Sequence, residues 1–179
     1  MTCLSLSKPF GLMKEIRFYE IDEDYVDYLS EFASHLFHNK HDNGRNSRKY
    51  IGILFKVNNY SYFAPLSSFK QKHIKMKESL DFIKVKNYSV INLNNMFPVP
   101  DGVYTYVDFK KVTDSNYRRL LESEYRYIKS IQEKIIKNAK NLYNHKLLYR
   151  NDTSLAKRCN DFVLLEEKCH EYQNNHTLF

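Results

Sequence analysis

The first regular pattern in the chain is an alternation of apolar and polar residues. Apolar residues at helical spacing follow it. The alternation in KEIRFYEI (residues 14–21) predicts a strand. Asp22 stands where the N-cap of a helix is expected. The apolar residues that follow recur at helical spacing, which predicts an early helix with one buried face. That face consists of Tyr25, Tyr28, Leu29, Phe32 and Leu36.

A loop and a hairpin are predicted next. The segment KHDNGRNSR (40–48) has the composition of an exposed loop. The four residues Ile51, Ile53, Phe55 and Val57 then share one face of a predicted strand. Asn58-Asn59 predicts a tight turn, because Asn tolerates positive φ angles, and YSYFAPL (60–66) returns as the partner strand.

Two more strands and a final one are predicted before the pattern becomes helical. DFIKV (81–85) and YSVINL (88–93) form a second pair joined at Lys86-Asn87. The prolines of NMFPVPDG (95–102) break the strand pattern. VYTYVDF (103–109) is the last predicted strand.

The C-terminal part of the chain has the spacing of helices. A helix is predicted from Asp114-Ser115, and NDTS (151–154) predicts the cap of a final helix. The apolar stripe of the first of these consists of Tyr117, Leu120, Leu121, Ile128, Ile131, Ile135, Ala139 and Leu142. The stripe of the second includes Leu155, Phe162, Leu165 and Cys169. We therefore expect an α+β fold, in which an antiparallel, strand-rich core carries one early helix and two late helices.

The size and composition of the chain indicate one domain in a reducing compartment. Its 179 residues suffice for one core, and we expect a single domain over 13–179, with 1–12 as an N-terminal extension without assigned function. Three cysteines without CxxC spacing favour the cytoplasm over a disulfide framework. No apolar run approaches the length of a membrane-spanning helix, and residues 1–12 lack the apolar core of a secretion signal.

Charge and aromatic content point towards nucleic acid. The formal charge is +7, and residues 111–150 hold ten Lys or Arg against four acids, a net six positive charges. Such a basic stretch attracts polyanions. Fifteen Tyr and twelve Phe suit the stacking of nucleobases. A genome rich in AT codons explains the same aromatic excess equally well.

Several classes of site have no support in the sequence. The spacing of His35, His38 and His41 matches no standard metal motif, and neither does that of Cys159, Cys169 and His170. Walker, GxGxxG and GxSxG motifs are absent from the sequence, so we expect neither a nucleotide cofactor nor a common serine hydrolase. The acids at 22–24 fit the first turn of a helix better than a two-metal nuclease.

Polar groups that could act on a phosphodiester cluster at the end of the YSYFAPL strand. Ser67, Ser68, Lys70, Lys72 and His73 follow one another there, and Arg45, Arg48 and Lys49 come from the preceding loop. RNA carries its own nucleophile in the 2′-hydroxyl, so residues of these types suffice to cut it without a metal. The alternative interpretation of the same residues is an ordinary solvated loop.

Five segments of the chain carry a resemblance to a known family. APLSSFK (64–70) follows YIGILF (50–55), and the other three segments are FYEIDEDYVDYL (18–29), INLNNMFPV (91–99) and LLEEK (164–168). In this order they resemble the ToxN/AbiQ family of type III toxin–antitoxin toxins, and among its members the lactococcal branch that acts in phage abortive infection. The resemblance implies a compact, twisted, antiparallel barrel-like sheet similar to that of the MazF, Kid and CcdB toxins.

The resemblance also implies an activity and a partner. Members of this family are metal-independent endoribonucleases that leave 2′,3′-cyclic phosphate and 5′-hydroxyl ends on cellular or phage RNA. Their antitoxin is a repeat RNA that the toxin processes, that folds as pseudoknots and that assembles with the toxin into a closed ring. We accordingly expect an RNA partner and no cofactor, metal or membrane.

Residue roles follow from the same resemblance. Ser68 matches the essential serine of the family and would orient the 2′-hydroxyl and the phosphate. Ser67 matches the preceding hydroxyl position, and Lys70 would stabilise the transition state or protonate the leaving oxygen. Tyr25 matches a tyrosine expected to line the site, and a family lysine falls at Arg48, beside Lys49. The residues expected to bind RNA are Arg45, Lys72, His73 and, as one wall formed by the basic helix, Arg118, Arg119, Arg126 and Lys129.

Two other functions stay open at this level. The first is an RNA-binding module without catalysis, for which Ser68→Ala would change nothing. The second is a barrel toxin that poisons a protein target, as CcdB does, and this function needs no serine–lysine pair.

Overall fold

A computed structural model describes residues 15–33, 36 and 47–176. The strands are β1 (Arg17–Ile21), β2 (Tyr50–Gly52), β3 (Lys56–Val57), β4 (Tyr60–Ser68), β5 (Phe82–Val85), β6 (Ser89–Asn92), β7 (Phe97–Val99) and β8 (Tyr104–Tyr106). The helices are α1 (Glu23–Ser30), α2 (Gln71–Lys75), α3 (Ser115–Ser130), α4 (Gln132–Tyr149), α5 (Ser154–Lys157) and α6 (Phe162–His176), with short 3₁₀ turns at Leu93–Asn95 and Phe109–Lys111. The predicted α+β class is confirmed. The predicted extension over 1–12 lies outside the described residues.

The nine-residue strand β4 is the hub of one antiparallel sheet. The strand order is β5-β6-β4-β2-β1-β8, and β3 and β7 also pair with β4. The first half of β4 pairs with β3 and β7, whereas its second half pairs with β2 and β6. Each half of β4 therefore has a partner strand along both of its edges.

Two hydrophobic clusters enclose β4. Tyr62, Ala64 and Leu66 belong to the cluster that α3 and α4 cover. Tyr60 and Phe63 belong to the cluster that α1 and α6 cover. Because both faces are apolar environments, β4 is buried without interruption from Tyr60 to Leu66.

The strand predicted over residues 51–57 is in fact two strands with a bulge between them. Ile51 stands opposite Ala64 and Lys56 opposite Ser61, so residues 52–55 face only 62 and 63. The extra residues turn the chain, and Ile53 packs against the second cluster instead of sharing the face of Ile51. A Cβ atom added to Gly52 in this bulge would lie 2.3 Å from Cδ1 of Phe63. The backbone can therefore pass this close to the Phe63 ring only because residue 52 is a glycine.

Both predicted turns are present, whereas one predicted interruption is wrong. Asn58 and Lys86 adopt positive φ angles of 53° and 51° in the two hairpins. The segment NMFPVPDG was expected to break the strand pattern, yet Phe97–Val99 forms β7. Its Pro98 stands opposite Tyr62. Proline has no backbone N–H, so a strand tolerates it where that position makes no hydrogen bond to a neighbouring strand. The local sequence pattern does not show which positions these are.

The long predicted helix starts as expected but divides in two. The Asp114 carboxylate accepts hydrogen bonds from the N–H groups of Asn116 and Tyr117, at 2.9 and 3.0 Å. Ile131 leaves helical geometry (φ −116°, ψ 13°), which separates α3 from α4. Likewise, Thr153 caps only the short α5, and α6 carries the rest of the predicted final helix.

Candidate active site

A cavity of about 650 Å³ opens where β4 emerges from the core. Its walls come from the end of β4, from α2, from β6 and from one face of α3. Seven residues predicted from the sequence to form the site line it together. They are Arg48, Lys49, Ser67, Ser68, Lys70, Lys72 and His73. Arg45, predicted to join them, lies outside the described residues.

The two serines, adjacent in sequence, point to opposite faces of β4. Ser67 pairs with Val90 and Ser68 pairs with Ser89 in the register with β6. Since side chains alternate along a strand, each hydroxyl faces a different set of neighbours. Ser67 is half-buried and Ser68 is exposed.

Ser67 lies between two hydrogen-bond donors. Its Oγ accepts from Nη1 of Arg48 and from Nδ2 of Asn92, both at 3.4 Å. A hydroxyl that accepts twice still has its own O–H to donate. Ser67 and Arg48 therefore present a hydroxyl donor and a guanidinium together, which is a suitable arrangement for a phosphate.

His73 is held as a neutral hydrogen-bond donor. Its Nδ1 accepts the backbone N–H of Lys70 at 2.9 Å, and its ring packs against Phe69 and Phe82. Burial, reinforced by the positive charges of three nearby lysines, lowers the pKa of His73 below its usual value. With Nδ1 occupied as an acceptor, the neutral ring carries its proton on Nε2 and can donate it in a hydrogen bond.

Lys49 is committed to an ion pair at the edge of the cavity. Its Nζ contacts Oε1 of Glu20, donates to the Ser47 carbonyl at 3.1 Å and lies 5.9 Å from the ring centre of Tyr117. Desolvation raises the pKa of Glu20, but the hydrogen bonds from Lys49 and Ser47 outweigh it and lower that pKa overall. Glu20 thus stays ionised and neutralises much of the charge of Lys49.

A buried acid that the sequence analysis did not select also faces the cavity. Glu124 on α3 is 6% exposed. Burial raises the pKa of its carboxyl, an effect that nearby Ser89 partly offsets. A signal for Glu124 existed in the sequence: it stands three residues after Leu121 and four before Ile128, within the apolar stripe of the helix.

Metal and membrane sites find no support in the described part of the chain. Over residues 15–33, 36 and 47–176, no three His, Cys, Asp or Glu side chains are grouped so as to hold a metal ion. His35, His38 and His41 lie outside these ranges. None of the described helices is long and apolar enough to span a bilayer.

Comparison with known proteins assigns the family. A model of the family described as toxin ToxN of type III toxin–antitoxin systems matches residues 17–170. The chain belongs to this ToxN family. The predicted membership is confirmed, and the match runs from β1 into α6.

Relatives of this ToxN-family chain are named as endoribonucleases. It is 31% identical to the endoribonuclease ToxN of Bacillus thuringiensis subsp. kurstaki over 88% of this chain and 84% of that protein. It is 29% identical to the endoribonuclease AbiQ of Lactococcus lactis subsp. lactis, over 93% and 94% of the two chains. The predicted likeness to the lactococcal member is confirmed, alongside a similar likeness to ToxN.

Solved structures agree with the sequence matches. The structure of AbiQ, a lactococcal anti-phage endoribonuclease of a type III toxin–antitoxin system, superimposes with a TM-score of 0.77 at 27% identity, covering 90% of this chain and 99% of AbiQ. A structure from work on type III systems, in which a non-coding RNA pseudoknot selectively inhibits the toxin, gives a TM-score of 0.74 at 29% identity, with 89% and 99% covered.

Tyr25 does not line the cavity of this ToxN-family protein, contrary to expectation. Its side chain is fully buried, and its hydroxyl donates to the Pro98 carbonyl at 2.6 Å. The ring packs edge-on against Tyr172 of α6, and Cys169 lies in the same cluster. Tyr25 is one of the apolar-face residues of α1, so it attaches this helix to β7 and α6.

The basic residues of α3 are not a wall of the cavity. Tyr117, Leu121 and Glu124 face it, and successive helical residues are rotated by about 100°. Arg119 and Arg126 therefore point to the opposite side of the helix, where both are exposed.

Two further cations on α3 also lie outside the cavity wall. Arg118 is half-buried, and Nζ of Lys129 pairs with Oε1 of Glu15 at 2.6 Å. RNA binding by these four residues stays a prediction, on a surface separate from the cavity.

Proposed function

We propose that this protein is a metal-independent endoribonuclease, whose site is the cavity at the end of β4. The observation that carries the proposal is the meeting of Ser67, Arg48 and Asn92, with Ser68, Lys70 and His73 in the same cavity. The cavity offers many hydrogen-bond donors and positive charges to a phosphate, and RNA brings its own nucleophile. The names of the ToxN and AbiQ relatives support the same activity.

The reaction is a transesterification within RNA. The 2′-oxygen forms a bond to phosphorus, the bond from phosphorus to the 5′-oxygen breaks, and the products end in a 2′,3′-cyclic phosphate and a 5′-hydroxyl. Ser68, exposed at the end of β4, holds the 2′-hydroxyl and the phosphate in line. Arg48 and the O–H of Ser67 bind the non-bridging oxygens, on which negative charge grows in the transition state.

Proton movements complete the reaction. The 2′-hydroxyl loses its proton to water at the open mouth of the cavity, and the leaving 5′-oxygen gains one from the ammonium group of Lys70, which water then reprotonates. His73 donates from Nε2 to the phosphate, because Nδ1 is held by the backbone of Lys70. No step needs a divalent cation.

The partner that we propose is an antitoxin RNA. The chain belongs to a family of type III toxins, and the pseudoknot-inhibited toxin is a structural neighbour. We expect this protein to process a repeat RNA into units that fold as pseudoknots, block the cavity and close a ring with the toxin. The anti-phage role of AbiQ favours a function in abortive infection, with cellular or phage RNA as the target of the released enzyme.

The test compares the wild type with Ser68→Ala on end-labelled RNA, including the repeat RNA, in excess EDTA. We expect the wild type to cut and to leave ends that react as cyclic phosphates. Ser68→Ala should cut at least about 100-fold more slowly and should still bind RNA. Ser130→Ala is the matched control, because the Ser130 hydroxyl is exposed away from the cavity and donates to the Tyr127 carbonyl within its own helix, at 2.7 Å.

Two results would contradict the proposal. Cutting that stops in EDTA and returns with a divalent cation would show a metal-dependent enzyme. Binding without cutting by the wild type, with the repeat RNA as substrate, would leave a non-catalytic RNA-binding protein.

A further inference from the structure

Two buried polar groups in the cavity, Ser89 and Glu124, face each other and have no cation beside them among the described residues. The Oγ of Ser89 is buried and has no partner among the described residues other than the Glu124 carboxyl, whose pKa it lowers. Glu124 is 6% exposed, and no Lys, Arg or His of the described residues forms an ion pair with it. A carboxylate has about four acceptor sites, so a single hydroxyl beside it leaves most of them unused. A buried carboxyl of this kind in the wall of a cavity indicates a ligand that donates to it.

These two groups lie beside the reactive end of β4. Ser89 is the residue directly opposite Ser68 in the register of β4 and β6, so the two side chains are on the same face. Glu124 approaches Ser89 from α3, closely enough for the hydroxyl to influence its pKa. A nucleotide held at Ser68 would therefore reach Ser89 and Glu124 with its base or sugar.

The surroundings of the pair favour a flat, apolar body. Tyr88, Tyr117, Leu120 and Leu121 line the cavity with them, and Leu120 is 37% exposed although it is apolar. Nucleobases splayed from single-stranded RNA bind between such side chains, with polar groups reading their edges. Neither Tyr88 nor Leu120 has a part in the phosphate chemistry proposed above.

An ionised Glu124 disfavours a phosphate as the ligand of the pair. An ionised carboxylate can accept hydrogen bonds but cannot donate them, and it repels an anion. The phosphodiester of RNA has no hydrogen-bond donor at neutral pH. Arg48 and Ser67, which line the same cavity, provide the donors for the phosphate. The donors of RNA are its 2′-hydroxyl and the N–H groups of its bases, and among these an exocyclic amino group fits between apolar walls and a carboxylate.

We propose that Glu124 and Ser89 form a nucleobase subsite that recognises the exocyclic amino group of a base next to the scissile phosphate. The proposal rests on the ribonuclease function above and adds to it a basis for sequence preference. Glu124 accepts a hydrogen bond from the amino group, and the Ser89 hydroxyl pairs with a neighbouring edge atom. Uracil, which has no exocyclic amino group, is disfavoured at this position.

The test uses short oligoribonucleotides that span a mapped cleavage site. Each base beside the scissile phosphate is replaced in turn by its analogue without the amino group: purine riboside for adenosine, inosine for guanosine and 2-pyrimidinone riboside for cytidine. At one position the replacement should lower kcat/KM of the wild type roughly 10- to 100-fold. In Glu124→Leu the same replacement should change kcat/KM less than about 3-fold, because the acceptor is already absent.

Two further variants exclude a purely structural effect. Glu124→Gln keeps one acceptor oxygen and should retain part of the discrimination, and Glu122→Leu, on the exposed side of α3, should discriminate like the wild type. Thermal melting checks that Glu124→Leu is folded, as expected for an apolar residue in an apolar stripe.

Equal discrimination between the natural bases and their analogues by wild type and Glu124→Leu would overturn the subsite and leave the nuclease proposal intact. Discrimination at no position would do the same, whereas a wild type that cuts no RNA would overturn both proposals.

Discussion

At the scale of single residues, neighbours in the sequence have different tasks because strand geometry separates them. Arg48 reaches Ser67, whereas Lys49 turns to Glu20 and to the ring of Tyr117. Lys49 is 8% exposed, so its ammonium group is a buried charge that Glu20 balances. Arg48 stands where the family has a lysine. Its side chain, and not that of Lys49, is therefore the one directed at the hydroxyl of Ser67.

This difference predicts opposite effects for two adjacent substitutions. Arg48→Ala should lower kcat for RNA cleavage about 100-fold or more, since it removes a donor to the transition state, and should barely change the melting temperature. Lys49→Met should instead lower the free energy of unfolding by about 1 kcal/mol, because the half-exposed Glu20 loses its partner. Single-turnover cleavage and urea denaturation of both variants measure these effects.

Arg48→Lys is the matched control for charge. It keeps the positive charge but not the planar fork, so its activity should lie between those of the wild type and Arg48→Ala. The assignment would be wrong if Lys49→Met lost cleavage while Arg48→Ala kept it.

At the scale of elements, one carboxylate of α6 connects three parts of the fold. Oε1 of Glu166 accepts from the hydroxyl of Tyr62 on β4 at 2.8 Å and from that of Tyr143 on α4 at 2.7 Å. The Tyr62 side chain is fully buried and that of Tyr143 is 3% exposed, so neither hydroxyl has water as an alternative partner. Burial, reinforced by Glu166, raises the pKa of Tyr62 well above its usual value, so its hydroxyl stays a donor.

Removing this acceptor should loosen α6. Glu166→Leu leaves two buried hydroxyls without an acceptor, which should lower the free energy of unfolding by about 2–4 kcal/mol. Denaturant unfolding measures this decrease. Glu167→Leu, at the exposed neighbouring position, should change stability by less than about 0.5 kcal/mol.

A triple variant identifies the cause. Adding Tyr62→Phe and Tyr143→Phe to Glu166→Leu removes the unpaired hydroxyls and should restore most of the stability. A triple variant less stable than Glu166→Leu alone would show that packing, rather than hydrogen bonding, holds α6 in place.

At the scale of the whole molecule, the cations predicted to bind RNA lie on two separate surfaces. Arg48, Lys49, Lys70 and Lys72 line the cavity, whereas Arg119 and Arg126 lie on the far side of α3. A short substrate held in the cavity does not reach the outer face of that helix. A long structured RNA that wraps the protein can touch both surfaces.

Long and short RNA should therefore respond differently to the outer charges. The double variant Arg119→Ala/Arg126→Ala should weaken binding of a long repeat RNA and reduce the salt slope of log K by about 0.7 for each phosphate that the protein no longer neutralises. Its kcat/KM on a five-nucleotide substrate should stay within about 2-fold of the wild type, since single surface charges act weakly at a distance. An equal decrease on both substrates would place these arginines at the active site instead.

The sequence alone determined the features that depend on local physics. Alternation and helical spacing identified most strands and helices, Asn58 and Lys86 marked the turns, and Asp114 marked the start of α3. The cluster from Ser67 to His73 pointed to the end of β4, because chemistry-bearing residues there interrupt an apolar strand. Each of these signals lies within a few residues of the feature that it predicts.

Tertiary structure decided which side chains meet. Only the pairing of β4 with β6 places Ser68 beside Ser89, and only the packing of α3 brings Glu124 there, although 56 positions separate Ser68 from Glu124 in the sequence. Packing against α6 buries Tyr25, and the direction of α3 turns its arginines away from the cavity. Contacts between distant segments depend on how the elements pack, and neither periodicity nor capping records that.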